Sequence, residues 1–226
     1  MNSSKNLIII GAGQLGVLIS KIIKKTYKFK IVGFIDNNLK KKGKKINGIR
    51  VIGNDKILKK KKEKLNIVIA VGNIKKRIEI KKKFKKKNFL FPKIIASSAK
   101  IDENVKIGNG TVITNHTMIL NNTKIGEFCI IGSGNKILHH VNISNNCIIG
   151  GGTVIGSNAK IKENVFVGVG SVLASRRIII GKNSFICSGS AVFKSMKAGS
   201  KAIGNPARII PNKKKIKYKL RSSLFY

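Results

Sequence analysis

The sequence has no tryptophan, only three prolines and three cysteines, and just 8 Asp plus Glu in 226 residues. Each scarcity removes a class of protein. Three cysteines at irregular positions, with no C-x-x-C pair, supply neither a disulfide framework nor a zinc site. The apolar runs are a few residues long, as at 7–10 and 178–180, where a membrane span needs about 20. Residues 1–23 do not read as a signal peptide, because Gly11, Gly13 and Gly16 interrupt the apolar stretch. The expectation is a protein without a membrane span, in a reducing compartment: the cytoplasm.

What abounds is charge of one sign. Lys plus Arg number 47, for a formal net charge of +39. The excess is spread along the chain: 27 basic against 4 acidic residues in 1–92, 14 against 4 in 93–210, and 6 against none in 211–226. The bias also reaches beyond charge, since Lys (41), Ile (40) and Asn (23) are all specified by A/T-rich codons. A biased genome enriches all three together. A phosphate-binding surface would enrich Lys and Arg without Ile, yet Arg numbers six. A charge spread over every segment and shared with Ile and Asn is weak evidence of a nucleic-acid surface, so nucleic acid is not the expected partner.

Residues 7–16 read as a short apolar strand running into Gly11-Ala12-Gly13 and Gly16, with a helix-like segment at 17–25. A strand, a G-x-G-x-x-G turn and a helix opening form a unit that can cradle phosphate. The same glycines would also serve a tight turn that binds nothing. A second strand at 31–35 ends at Asp36, whose carboxylate can accept from a ribose hydroxyl or a base edge. A third, at 66–70, runs into Val71-Gly72-Asn73 before a lysine-rich helix. Some ninety residues hold only half of a full dinucleotide-binding domain.

From Ile95 to Leu173 every sixth residue is a branched aliphatic. Two places earlier the side chain is mostly small, and the next residue is often Gly, as at 108, 126, 132, 150, 156 and 168. A period of six fits neither helix nor flat sheet; it predicts a parallel β-helix of hexapeptide repeats. The aliphatic should point inward and the glycine should permit the corner's backbone. After Leu173 the register slips by one, to Ile180, Ile186 and Val192, which predicts a bulged corner within 174–179. Gly204-Asn205-Pro206-Ala207 should end the coil. Three segments result: a Rossmann-like domain (1–92), the β-helix (93–210) and a basic tail (211–226).

Inward positions of a solenoid are core, so Cys129 and Cys147 read as packing residues and chemistry falls to the corners. The one dense polar cluster is His139-His140, with Asn121 and Ser157 stacked on the coils either side of His139. An accessible corner histidine can act as a general base. It can equally be a solvated surface residue. No carboxylate, Ser/His/Asp set or metal-ligand spacing accompanies it, and His116 reads as structural.

The combination of Gly11-Ala12-Gly13, Val32-Gly33-Phe34-Ile35-Asp36-Asn37, Ala70-Val71-Gly72-Asn73, the hexads and Gly204-Asn205-Pro206-Ala207 resembles a known family. It is that of the hexapeptide-repeat sugar acyltransferases, typified by bacterial sialic acid O-acetyltransferase and UDP-4-amino-sugar N-acetyltransferase. The resemblance implies a left-handed β-helix, a homotrimer, acetyl-CoA as acyl donor and a nucleotide sugar or sugar as acceptor. It makes His139 the catalytic base, in Ile137-Leu138-His139-His140, and assigns the sugar nucleotide to Gly11, Ala12, Gly13, Asp36, Asn37 and Gly72. Acetyl-CoA would meet Val169 and Ser188, together with Ile148, which stands where some members carry a second histidine. His140 replaces the family's acidic residue, and a protonated His140 would oppose its neighbour's protonation. The implied reaction is acetylation of an amino-sugar amine; O-acetylation and an inactive scaffold remain alternatives.

Overall fold

The computed structural model describes residues 5–59, 65–85, 89–174 and 177–211. The tail from residue 212 onward lies outside the described residues. The chain begins with β1 (Asn6–Ile10), α1 (Gln14–Thr26) and β2 (Lys30–Ile35), followed by a β3–β4 hairpin (Lys45–Ile46 and Ile49–Gly53). The short α2 (Lys56–Lys59), β5 (Leu65–Ile69), α3 (Ile74–Lys85) and β6 (Phe89–Leu90) complete one sheet of order β3-β4-β2-β1-β5-β6, parallel apart from the hairpin.

Helix α1 forms because Ile19, Ile22 and Ile23 recur on one face, with Lys21, Lys24 and Lys25 on the other. Its apolar face packs on Leu7, Ile9 and Phe34 of the sheet and also reaches Ile94, Ala96 and Val112 of the next domain. On the sheet's far side Leu58 and Phe84 cover Ile8, Ile10, Ile35 and Ile67, and Phe128 of the β-helix joins them. The two domains therefore share core on both faces of the sheet.

From Ile94 onward, two-residue strands stack into three parallel faces, opened by Ile94–Ile95, Lys100–Ile101 and Lys106–Ile107. Partners lie 18 residues apart, as in Ile113↔Ile131 and Ile131↔Ile149, so three hexads make one coil of the left-handed parallel β-helix. The pairing lengthens to 19 at Ile161↔Ile180 and Val167↔Ile186, where the register slip demanded an extra residue. Residues 175 and 176, inside the expected bulged corner, lie outside the described residues. Every hexad aliphatic from Ile113 to Val192 is buried in one column of core. At the end, Lys201–Ile203 adds to the first face and the chain turns at Gly204 into the antiparallel Arg208–Ile210. No helix among the described residues is long and apolar enough to cross a membrane.

The corners depart from the sequence expectation. The left-handed residue lies three places after the aliphatic, not one: Gly134, His140, Gly152 and Asn158 have φ of 69°, 59°, 66° and 61°. The glycine directly after the aliphatic is needed for space instead. A Cβ on Gly132 would meet the backbone nitrogen of Gly151 at 2.5 Å, and one on Gly150 that of Val169 at 2.5 Å. Neither backbone can yield without parting the coils. Gly150→Ala is expected to destabilise the fold by about 2 kcal/mol, read as a lower midpoint in thermal unfolding.

The small inward residues do more than pack. Thr117 Oγ1 donates to Gly132 O at 2.9 Å, Thr123 Oγ1 to Leu138 O at 3.0 Å and Cys147 Sγ to Lys162 O at 3.0 Å. Each satisfies a carbonyl of the next coil that the tight corner would otherwise leave without a partner. The contact with Cys129, together with burial, holds the Cys147 thiol well above the ordinary thiol range. It is a poor nucleophile.

Candidate active site

The strand order places β1 between β2 and β5, with the chain crossing to opposite sides, so a crevice opens beyond the carboxyl ends of β1 and β5. Gly11 makes the turn there: its φ is +109°, and any side chain would run into the Ala70 carbonyl. Gly16 packs against the Gly11 carbonyl with equal economy. Gly13 and Gly72 differ, since a Cβ on either would meet nothing within 4 Å. They leave an open floor.

Asp36 ties this floor together. Its Oδ2 accepts from Ala12 N and from Lys41 Nζ, each at 3.0 Å, and its Oδ1 accepts from Asn38 N at 2.9 Å. Burial pushes its carboxyl up, but the hydrogen bonds from Asn38, Lys41 and Ala12 together outweigh it and hold the group below its ordinary range. The carboxylate is thus occupied in shaping the loop. Lys41 also donates to Ala12 O at 3.1 Å, which places a positive charge beside the uncapped amino end of α1. The helix end favours an anion, while the Lys41 charge is already paired with Asp36. Exposed Asn37 accepts from Asp55 N at 3.3 Å through Oδ1.

The second cluster stands at the corner between the second and third β-helix faces. His139 Nδ1 lies 3.0 Å from His140 Nδ1, the rings at right angles, and His139 Nε2 lies 2.9 Å from Ser157 Oγ. The coil spacing of 18 that set Ser157 beside His139 in the sequence reappears here as a hydrogen bond. Exposed Asn121 contributes its carbonyl, which accepts from His140 N at 3.1 Å. His139 is half-buried and His140 exposed. An imidazole held at both nitrogens, with one edge open, can take a proton at Nε2 and remain oriented.

Val169 and Ser188 lie elsewhere, on the corner between the first and second faces. Val169 is 61% exposed, and Gly189 N donates to its carbonyl at 2.8 Å. Gly134, Gly152, Gly170 and Gly189 hold the left-handed position at four successive coils of this corner, a column of bare backbone beside the exposed side chains of Ser133, Val169 and Ser188. Ile148 sits on the outer side of the first face, buried between Ile130 and Phe166. Within one chain the width of the second face separates His139 from Val169 and Ser188. Among the described residues no group of three His, Cys, Asp or Glu could hold a metal ion.

Two residues that organise these sites escaped the sequence reading: Lys41 and Arg77. Arg77 is fully buried and donates to Ile69 O (2.7 Å), Val71 O (3.3 Å) and, across the domain boundary, Phe128 O (2.6 Å). The available signal was its rarity, one of six Arg in a chain with 41 Lys. An arginine kept in such a background marks a place that needs its planar fork.

Residues 6–84 match the family described as the PglD N-terminal domain, and residues 122–157 match the bacterial transferase hexapeptide (six repeats). Perosamine N-acetyltransferase from Caulobacter crescentus, solved as a variant with CoA and GDP-perosamine, superposes with a TM-score of 0.84 at 21% identity, over 92% of this chain and 97% of that one. The chain has the two-domain fold of the hexapeptide-repeat sugar acyltransferases. The acetyltransferase domain of PglB from Neisseria gonorrhoeae shares it, with a TM-score of 0.83 at 22% identity over 91% and 100% of the two chains. So does WeeI from Acinetobacter baumannii, with 0.81 at 24% identity over 90% and 99%. No curated protein matches the sequence.

Proposed function

We propose that this chain is an acetyl-CoA-dependent acetyltransferase acting on the amine of a nucleotide-linked amino sugar, as a cytoplasmic step in surface-glycan biosynthesis. The observation that carries the reading is His139, held at both ring nitrogens on an open corner of a β-helix fused to an anion-favouring crevice. The likeness to an acetyltransferase solved with CoA and GDP-perosamine supports the choice of substrates.

In this reading the nucleotide end of the acceptor lies over Gly11, Ala12, Gly13 and Gly72, its phosphates drawn by the α1 terminus. Asp36 and Asn37 shape the outer wall. The sugar amine attacks the acetyl thioester while His139 Nε2 takes its proton, and the proton returns to the departing CoA sulfur. The glycine strip beside Val169 and Ser188 suits the extended arm of CoA, since at four successive coils the left-handed corner residue carries no side chain. That arm must come from a second copy, because the strip and His139 flank opposite edges of the second face.

The second face itself supports a homotrimer. Its outer positions carry Met118, Leu120, Leu138, Val154 and Val172, all only half-buried, and Phe193, 52% exposed, with exposed Lys100 and Lys136 among them. A largely apolar face between the two functional corners would, in a closed ring of three, bring His139 of one chain to the glycine strip of the next. Light scattering should return three chain masses; a monomer that still turned over substrate would contradict this arrangement.

The activity itself is tested by following CoA release from acetyl-CoA with amino sugars carrying or lacking the nucleotide. Acetylation of the nucleotide-linked amine, with kcat/KM at least 10-fold above the free sugar, is the expected outcome. Preference for a free sugar hydroxyl would favour the O-acetyltransferase reading. No CoA release with any acceptor would leave the inactive scaffold.

A further inference from the structure

Two imidazole Nδ1 atoms 3.0 Å apart can share one proton only: two lone pairs would repel, and two N–H groups would clash. One ring must donate and the other accept. Ser157 does not decide between the two arrangements, because its hydroxyl can give a hydrogen bond to His139 Nε2 or receive one from it. The reaction does decide. If His140 donated, His139 would carry its own proton on Nε2 and could not act as a base. If His139 donates, Nε2 is bare, and the bond from its Nδ1–H persists and strengthens when Nε2 takes the acceptor's proton and the ring becomes charged.

We infer that His140 is the positioning residue of this site: its Nδ1 accepts the Nδ1–H of His139 and fixes the base-competent tautomer, a neutral imidazole doing what a carboxylate does in a Ser-His-Asp arrangement. Ser157 Oγ marks the place that the acceptor's N–H or O–H takes over on binding. The ring projects from a stiff point, since the His140 backbone is left-handed with φ of 59° and its N–H is bonded to Asn121 O. The inference rests on His139 acting as the base of the proposed transfer, and its test has a readout independent of turnover.

The chain has three histidines, so ring-nitrogen NMR of the full-length protein without substrates resolves a small set of signals. His139 should show a protonated Nδ1 and a bare Nε2. In His140→Gly, a variant whose residue adopts positive φ freely, the two tautomers of His139 should mix. Turnover of that variant should fall roughly 10- to 100-fold in kcat, with KM for acetyl-CoA and for the acceptor each within about 3-fold. His140→Glu should recover most of the loss. A protonated Nε2 on His139 in the parent protein would overturn the inference. So would an unchanged kcat in His140→Gly, or a loss that His140→Glu leaves unrepaired. Should the parent protein transfer no acetyl group, the functional reading falls, and the tautomer measurement still reports on His140.

Discussion

Replacing His139 with alanine is expected to lower kcat for acetyl transfer by about 100- to 10,000-fold, the range of a lost general base. The unfolding midpoint should barely move. His139 is half-buried on a corner, and its side-chain bonds run to half-buried Ser157 and exposed His140. Water can replace both partners, so folding loses little. The transition state loses the group that removes the amine's proton, for which the described residues of the cluster hold no substitute: Ser157 is a weaker base and His140 Nδ1 is turned toward His139. Steady-state kinetics with circular dichroism melts of both proteins checks the split between activity and stability. A loss below about 3-fold would remove His139 from the chemistry.

Arg77 should behave in the opposite way. Arg77→Met keeps an apolar stem but removes the donors to Ile69 O and Phe128 O, both buried, and to the partly buried Val71 O. Unpaired buried acceptors cost about 1–3 kcal/mol each, and partial relaxation should leave a net loss of about 3–5 kcal/mol. Burial pulls the guanidinium's pKa down to about 10, so it remains charged at neutral pH and its hydrogen bonds are charge-assisted. Arg77→Lys should recover only part of the stability, because one ammonium cannot reach carbonyls spread over two domains. The damage should concentrate at the junction, where Phe128 enters the N-terminal core and Lys81 lies over its ring at 4.4 Å. Hydrogen exchange should show α3 and the 127–129 corner losing protection first. Uniform loss along the whole β-helix would contradict a local clamp.

The sequence carried the β-helix almost completely, because a solenoid repeats one local decision. Each Ile six residues after the last makes the same inward contact, so the period, the register slip after Leu173 and the closing turn at Gly204 were all legible. The corner chemistry was legible only in part. Glycines after the aliphatic looked like left-handed residues, but their cause lies 18 residues on, in the backbone of the next coil. The threonine and cysteine bonds at residue plus fifteen escaped for the same reason. At the candidate site the stacking of Ser157 on His139 followed from the repeat, whereas the His139–His140 bond depended on rotamers that no spacing sets. Arg77 reaches 51 residues along the chain to Phe128 and follows no period at all.

The positive charge takes a modest place in this account. Both substrates of the proposed reaction are anionic and the charge can hasten their capture, yet among the described residues Lys41 is the lysine bonded into the Gly11–Asp36 turn.

The most direct test is a crystal structure of the assembled protein with CoA and a nucleotide-linked amino sugar. The account predicts the sugar amine within about 3.2 Å of His139 Nε2, in the place now held by Ser157 Oγ, with CoA along the bare Gly152–Gly170 strip of a neighbouring subunit. Ligands bound with His139 facing solvent, or CoA seated away from that strip, would contradict it.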